Sequence, residues 1–564
     1  NLHLGPGEES RNTFIFQALN TAGTAKITFK AVLGDEQTEK AVELMVRPPA
    51  PLISTTGSGT VSAGKTATIF FPPLMMPETC TATLHCATSP ALNLGESLRY
   101  LVRYPHGCVE QTSSRVFPLL YMKDIAALVE PDLLSDPGDV DRMVQAGIYR
   151  ILSMQTYKGG LAMWPGDTDI YPWGTVYGAN CLVEAEKAGY QVPFTEKEAL
   201  ISYLEEEVAD TGSRPDPEHD DLAFTAYACY VLALDGDPPL DKITALLEYD
   251  QLPAYSRFQL AAACYLAGEQ AMAREIIGDS LPLLDTNRSR DTGGVLDSKA
   301  RELAILLNTF LQVDPGSPSI LPLVRKLNSH LDKGRYLTTQ ENAFALLALG
   351  RYARSMKQVE TSLTGTCLLN GTLIGKFTHH DGFFKTFDEA AGKTVTLSIA
   401  GKGTLYYYWV LEGVPLSGRV DEEDSGLTVR RTFKTAAGAL IDPLTFKQGD
   451  TAVAEYRIRT GSAIQNVVIS DPLPGGLEIE NPRIASRETI EWIGEDSLTP
   501  DHMDIRDDRL ILFLDINTTG EIYYRYLVRA VTAGRFRLPA LSASCMYDPG
   551  IRSVTGQGIV SIKE

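Results

Sequence analysis

The amino-acid sequence predicts a multidomain protein of mixed α and β class, with a long helical block set between β segments. Three observations carry this. Both ends of the chain alternate apolar and polar residues with a period of two, the mark of half-buried strands. Between about residues 91 and 355 the text turns rich in Ala and Leu at helical spacing. The length of 564 residues exceeds what one hydrophobic core organises.

Taken in order, residues 1–48 read as β, with alternation at Thr13–Ala18 and Ala25–Ala31 and a further strand at Ala41–Val46. Arg47-Pro48-Pro49-Ala50-Pro51 is a linker, because prolines cannot join a central strand. Residues 49–90 return to β, with Thr66–Phe71 and Thr81–Cys86 as strands. The helical block 91–355 carries two capping-box patterns, Ser256 with Gln259 and Thr338 with Glu341, and a helix that stops at Gly268. Small residues such as Ala228, Ala261 and Ala304 permit close helix approach. About a dozen helices fit this length, which suggests stacked hairpins closing into an α/α toroid, with an open solenoid as the alternative. Residues 356–416 are β again, notably Thr394–Ile399 and Thr404–Val410 around the turn Gly401-Lys402-Gly403. The helical block is therefore an insertion between 49–90 and 356–416, which read as halves of one sandwich. Residues 417–564 form a last β domain, strongest at Ala452–Ile458, Val467–Ile469, Leu510–Leu514 and Ile522–Val528.

A formal net charge of −20 without a basic tract argues against nucleic acid as a partner. No apolar run approaches the roughly 20 residues that span a bilayer. The chain opens Asn1-Leu2-His3, which reads as a fragment. Eight dispersed cysteines are too few for a disulfide scaffold. Cys181, Cys229 and Cys264 sit in apolar helical text as small buried hydrophobes, and Cys80 and Cys86 leave a bridge open. No Cys or His spacing suggests a metal, His379-His380 reads as surface, and no cofactor is implied. The acidic groups Asp167/Asp169 and Glu218/Asp220/Asp221 read as solvated loops.

One stretch carries chemistry: Tyr104-Pro105-His106-Gly107-Cys108-Val109-Glu110-Gln111-Thr112. A Cys thiol can condense with a Gln side-chain carbonyl three residues on, releasing ammonia and leaving a thioester, and residues i and i+3 share a helix face. Gly107 relaxes the backbone before the ring. Such a bond is a stored electrophile, with Gln111 as acyl group and Cys108 as leaving thiolate, so the fold must shield it from water.

Gly107-Cys108-Val109-Glu110-Gln111 resembles the thioester signature of the alpha-2-macroglobulin and complement family, in its bacterial branch. Val109 replaces the Gly usual in vertebrate members. Tyr104-Pro105, the Gly-Gly-Leu-Ala-Met-Trp-Pro-Gly run ending at Gly166, and Ala543–Pro549 are similar to that branch too. The resemblance covers the whole chain as the C-terminal third of a longer protein. It implies a macroglobulin-like tail at 1–48, a CUB-like domain from 49–90 and 356–416, an inserted α/α-toroid thioester domain at 91–355, and a C-terminal macroglobulin-like domain at 417–564, the receptor-binding position in animal relatives. It implies a bacterial protease trap, not a turnover enzyme: a periplasmic (inner-membrane-anchored) or extracellular defence protein, monomeric, whose full-length form is a lipoprotein and whose thioester captures a protease through lysine. The bait is expected outside this chain. Tyr104, Met546 and Tyr547 are the implied shield, and Gly107 and Glu110 support the motif. The loop Gly166–Trp173 lacks the histidine that directs complement-type relatives to hydroxyls, so amines are the expected nucleophiles. Trp164 and Trp173 are candidates for the site wall, with core packing as their plainer role. Rival readings are an α/α-toroid enzyme with Cys108 as nucleophile and His106 as base, and a covalent surface-adhesion module.

Overall fold

A computed structural model describes residues 7–10, 12–19, 21–48, 50–87, 94–103, 107–121, 136, 138–211, 217–278, 290–331, 337–355, 362–378, 383–480, 491–494 and 497–564. The first β piece is a single antiparallel pair, Gly23–Leu33 with Glu36–Val46. Residues Thr13–Ala18, expected as a strand, lie outside any strand. Phe14 and Phe16 instead set their edges against Phe29 of the pair, at ring distances of 5.3 and 6.2 Å.

The segments before and after the helical block pair into one sandwich of two four-stranded sheets. One sheet runs Ile53–Ser62, Thr404–Gly413, Thr81–Ala87, Phe383–Asp388; the other runs Thr66–Phe70, Thr394–Lys402, Ser362–Leu369, Thr372–Thr378. Each sheet mixes strands from both sides of the insertion, and one apolar core containing Phe71, Leu84, Cys86, Cys367 and Leu397 fills the space between them. Cys80 and Cys86 are both buried and free; they serve the core and form no bridge.

Six helices form a closed cycle of contacts: Val109–Tyr121, Pro172–Lys187, His219–Asp235, Ala254–Leu266, Lys299–Val313 and Thr339–Ser355, the last packing back onto the first. Among the described residues six more, Leu94–Arg103, Asp139–Leu152, Phe194–Thr211, Leu240–Leu247, Gln270–Ile277 and Ile320–Leu331, lie outside the ring. The inner helices are apolar almost all round, as expected for helices covered on every side; His219–Asp235 is buried from Leu222 to Leu234 save Tyr230. Of the two expected capping boxes one forms. Thr338 N–H donates to Glu341 Oε2 at 2.9 Å and Glu341 N–H to Thr338 Oγ at 3.2 Å. Ser256 is instead an interior residue of a helix that starts at Ala254 behind Pro253, because proline at the cap sets the start two residues earlier. Glu218 and Asp221, expected in a loop, cap the helix His219–Asp235 reciprocally. No helix among the described residues is long and apolar enough to cross a membrane.

The C-terminal β region builds a six-stranded sheet facing a four-stranded one, with a third small sheet at the side. Its core holds a charged pair: Arg431 bonds to Asp471, whose Oδ2 also accepts from Tyr456 and Tyr526 hydroxyls at 2.7 and 2.8 Å. Arg431 donates further to the Pro539 and Gly556 carbonyls, so both terminal nitrogens of the guanidinium and the carboxylate it faces are partnered in the core, while Arg431 Nε is not.

Candidate functional site

Cys108 sits immediately before the helix Val109–Tyr121, and Gln111 is the third residue inside it. The two make the reciprocal bonds of a capping box, with a thiol where Ser or Thr normally stands. Gln111 N–H points to Cys108 Sγ at 3.4 Å, and Cys108 N–H donates to Gln111 Oε1 at 3.2 Å. Sulfur and acyl carbon are thereby held on one turn, and the Cys108 N–H lies where negative charge develops on that oxygen when a nucleophile adds to the carbon. Cys108 is fully buried, and burial, with Glu110 beside it, pushes its thiol up to about 12. A helix N-terminus favours anions, but desolvation outweighs it here.

A Cβ at Gly107 would meet only ordinary contacts, Thr112 Oγ at 3.7 Å and Arg150 Nε at 3.8 Å. The Gly107 carbonyl accepts from Arg150 Nε and Nη2 at 3.3 and 3.2 Å, which fixes the entry to the helix. The crowding that Val109 introduces falls elsewhere: Val109 Cγ1 lies 2.5 Å from where a Cβ on Gly174 would be. Glycine on the neighbouring helix makes room for valine in the motif.

Glu110 is fully buried. Its carboxyl accepts from Ser114 Oγ, from Thr339 Oγ at 2.7 Å and from Tyr547 OH at 2.9 Å. Thr339 opens the last inner helix, so Glu110 ties the ends of the ring together and ties both to the C-terminal region. Burial holds its pKa above the ordinary value, partly offset by the three hydroxyl donors.

The cover over the pair is the tip of a hairpin. Leu541–Cys545 and Asp548–Thr555 are joined by Met546 and Tyr547 alone. Gln111 Nε2 points to Met546 Sδ at 3.1 Å, and Tyr547 OH lies 3.8 Å from Cys108 Sγ. Both cover residues are buried. Met546 N–H donates to the Asn466 carbonyl at 2.9 Å. Asn466, at a positive φ of 58°, reaches across to donate to the Thr292 carbonyl at 2.7 Å. Two further contacts seat this region on the helical ring. Trp164 stacks on His502 at a ring distance of 4.5 Å and lies tilted against Phe513 at 4.6 Å, and Gly293 lies so close to Gln465 that a Cβ would fall 1.8 Å from its Oε1.

The structure therefore brings together Cys108, Gln111, Glu110, Met546 and Tyr547. Tyr104 and His106 lie outside the described residues, as do His379 and His380. Trp173 is a core residue, stacked under the Arg301 guanidinium at 4.6 Å; Trp164 is an inter-domain residue. Sequence reasoning missed Ser114, Thr339, Asn466, Thr292 and Gly293. Thr339 directly follows a capping-box threonine and could have been flagged on that ground; the others carry no local signal. Among the described residues no cluster of ligating side chains could hold a metal.

Residues 426–550 match the bacterial alpha-2-macroglobulin MG10 domain. Over 582 aligned positions the sequence is 26% identical to alpha-2-macroglobulin of Xylella fastidiosa, covering 97% of this chain and 35% of that protein. The chain is homologous to the bacterial alpha-2-macroglobulins. It spans about a third of the length of the curated relatives it matches. The alpha-2-macroglobulin fold extends through it. The crystal structure of native Escherichia coli alpha-2-macroglobulin from domain MG7 to the C-terminus superposes with a TM-score of 0.81 at 23% identity, over 97% of this chain and 88% of that one. That of Salmonella alpha-2-macroglobulin reacted with methylamine gives 0.80 at 24% identity, over 97% and 36%. In alpha-2-macroglobulin terms the match places this chain in the C-terminal part of the family's architecture, with the hairpin tip Met546–Tyr547 inside the MG10 match.

Proposed function

We propose that Cys108 and Gln111 form an internal thioester and that the chain is the covalent-capture part of a protease trap. Cys108 Sγ adds to Gln111 Cδ, the Gln111 amide nitrogen leaves as ammonia with the thiol proton, and the C–S bond remains. On capture, a lysine amine of the attacking protease adds to the same carbon, the C–S bond breaks, and Cys108 leaves as thiolate. The product is an amide and a free thiol, made once. The observation that carries this reading is the capping-box geometry of the pair beneath a buried Met546–Tyr547 cover.

Glu110 has the chemistry to manage the proton. While the cover is down, Tyr547 occupies its Oε2. When the cover lifts, that oxygen loses a donor and becomes an acceptor for the proton of the incoming amine. Within this proposal the helical ring is the α/α-toroid thioester domain, the split sandwich is CUB-like, and the trigger lies outside the chain. The parent protein is a monomeric lipoprotein held at the inner membrane on the periplasmic side, or is extracellular. Amines are preferred to hydroxyls: the loop Gly166–Trp173 brings Tyr171 to the site and contains no histidine.

Intact mass is the test. The chain should weigh one ammonia less than its sequence, gain one methylamine on treatment, and release one thiol. A full sequence mass together with an iodoacetamide-reactive Cys108 in untreated protein would favour the rival nucleophilic enzyme and sink the proposal.

A further inference from the structure

The helical ring has a second polar feature, at the end of its axis remote from Cys108. A cavity of about 50 Å³ is lined from all six inner helices, each contributing residues of its middle or C-terminal half, and it widens into a mouth of about 410 Å³ that shares Glu184, Asn308 and Arg351. Three amide oxygens that line the cavity, Asn180 Oδ1, Gln259 Oε1 and Asn308 Oδ1, are buried with no hydrogen-bond partner. Asn180 and Gln259 are more than nine-tenths buried. Asn180 is oriented by its own nitrogen, which donates to Tyr227 OH at 2.8 Å. An unpartnered buried acceptor costs about 1–3 kcal/mol, and three around one cavity are a recurrent cost that a donor-bearing guest would remove.

We infer that this cavity is a binding site for a primary ammonium group carried on a short stem. The –NH3+ group brings three donors and no acceptor, which matches three oxygens that lack donors. The aromatic rings of Phe117, Tyr227 and Phe344 wall the cavity, and aromatic faces attract cations. The C-terminal ends of six helices lie toward the mouth, and each end carries partial negative charge. The charged side chains there, Glu184 and Arg351, stand 3.8 Å apart and offset each other. The Glu184 carboxylate is held further by the Tyr121 hydroxyl. The stem of the ligand has room in the mouth. This site is independent of the thioester reading, because no bond forms and neither Cys108 nor Gln111 lines it.

The test uses the whole chain in slightly acidic buffer, where the amine is protonated and a poor nucleophile. n-Propylammonium chloride, n-propanol and tetramethylammonium chloride are titrated at matched ionic strength, with melting temperature and calorimetric heat as readouts. A saturable, dialysable stabilisation of about 2 °C or more at ten times Kd is expected for n-propylammonium alone, with unchanged intact mass. Gln259→Leu with Asn308→Leu should weaken binding by about tenfold or more while raising the melting temperature without ligand, since the unpartnered oxygens are gone. Each single variant serves if the pair does not fold. No stabilisation beyond that of sodium chloride would mean the oxygens are served by water alone and would overturn the inference. Equal effects of n-propanol or tetramethylammonium would overturn the assignment to a primary ammonium.

Discussion

Tyr547 OH donates to Glu110 Oε2 at 2.9 Å across 437 residues of sequence. The same hydroxyl lies 3.8 Å from Cys108 Sγ. One phenol thus covers the sulfur and satisfies the carboxyl beside it, so lifting the cover changes two things together: water reaches Cys108 and Gln111, and Glu110 loses a donor in a buried place. The two roles separate by substitution. Tyr547→Phe keeps the ring and should raise the rate of methylamine incorporation only a few-fold. Met546→Ala with Tyr547→Ala removes the ring and the sulfur that faces Gln111 Nε2 and should raise it by about a hundredfold, a guarded electrophile being opened to solvent. Mass spectrometry at Gln111 over time checks both, and no acceleration in the double variant would remove the cover from the mechanism.

The cover can also be loosened from a distance. Gly293 meets Gln465 so closely that any Cβ must displace it, and Gln465 N–H donates to Thr292 Oγ at 3.3 Å in the same contact. Gly293→Val should push the C-terminal sandwich off the ring and speed methylamine incorporation, with little change in the melting of either domain. Gln465→Ala should restore part of the slow rate by vacating the space.

Glu110 gives a pH dependence with a defined sign. Burial raises its carboxyl pKa above the ordinary 4.5 in the folded protein, so the folded state binds the proton more tightly than the unfolded chain. Its contribution to stability is fully present below about pH 4.5 and is lost as pH rises through the raised value. Glu110→Gln should flatten that decline in melting temperature measured from pH about 4 to pH about 8. In the Met546→Ala, Tyr547→Ala background the same change should slow aminolysis by about a hundredfold, the usual worth of a positioned base. A pH–rate profile unchanged by Glu110→Gln would leave the carboxyl with a structural role only.

How much of this was legible in the sequence depends on the range of the signal. The Cys108-x-x-Gln111 spacing is local, and the reciprocal bonds that hold the pair are those of a helix start, so motif and geometry agree. The periodicities that mark the helical block and its flanking strands are local too. The hairpin tip is not: Met546 and Tyr547 make a two-residue turn without glycine or asparagine and with no positive φ, because burial against the ring dictates the turn in place of turn propensity. Ser256 misled for a related reason, since Pro253 sets the helix start two residues before the hydroxyl. Gly293 and Asn466 act across domains, and Thr339 acts across the ring on a residue 229 positions away, where no spacing rule reaches.

Val109 and Gly174 offer a reciprocal test. A methyl at Gly174 would fall 2.5 Å from both Val109 Cγ1 and Tyr171 Cδ1. Ala normally gains up to about 1 kcal/mol over Gly inside a helix, yet overpacking costs about 1–3 kcal/mol. Gly174→Ala should therefore destabilise the ring and displace the motif. Adding Val109→Ala should recover part of the loss but not all, because Tyr171 still collides. Chemical denaturation of the four proteins of this cycle gives the coupling directly, and additive effects would show that Gly174 does not accommodate Val109.

The charged pair in the C-terminal core bears on the cover through the strand that supports it. Asp471 is the next-to-last residue of the strand Ile464–Pro472, which pairs with Leu541–Cys545, the strand leading into Met546. Arg431 and Asp471 are both enclosed, with side chains at 0% exposure. Replacing both with apolar residues of like volume is often tolerated, whereas removing one leaves a buried charge without its partner at about 3–5 kcal/mol. Asp471→Ala should cost that much and release two tyrosine hydroxyls as well; Arg431→Met with Asp471→Leu should cost much less. Because strand Ile464–Pro472 also carries Asn466, which holds the Met546 N–H, the single variant should accelerate methylamine incorporation in proportion to its loss of stability. Unfolding curves and incorporation rates measured on the same preparations connect the two, and a destabilised variant with an unchanged rate would show that the cover is held by the ring alone.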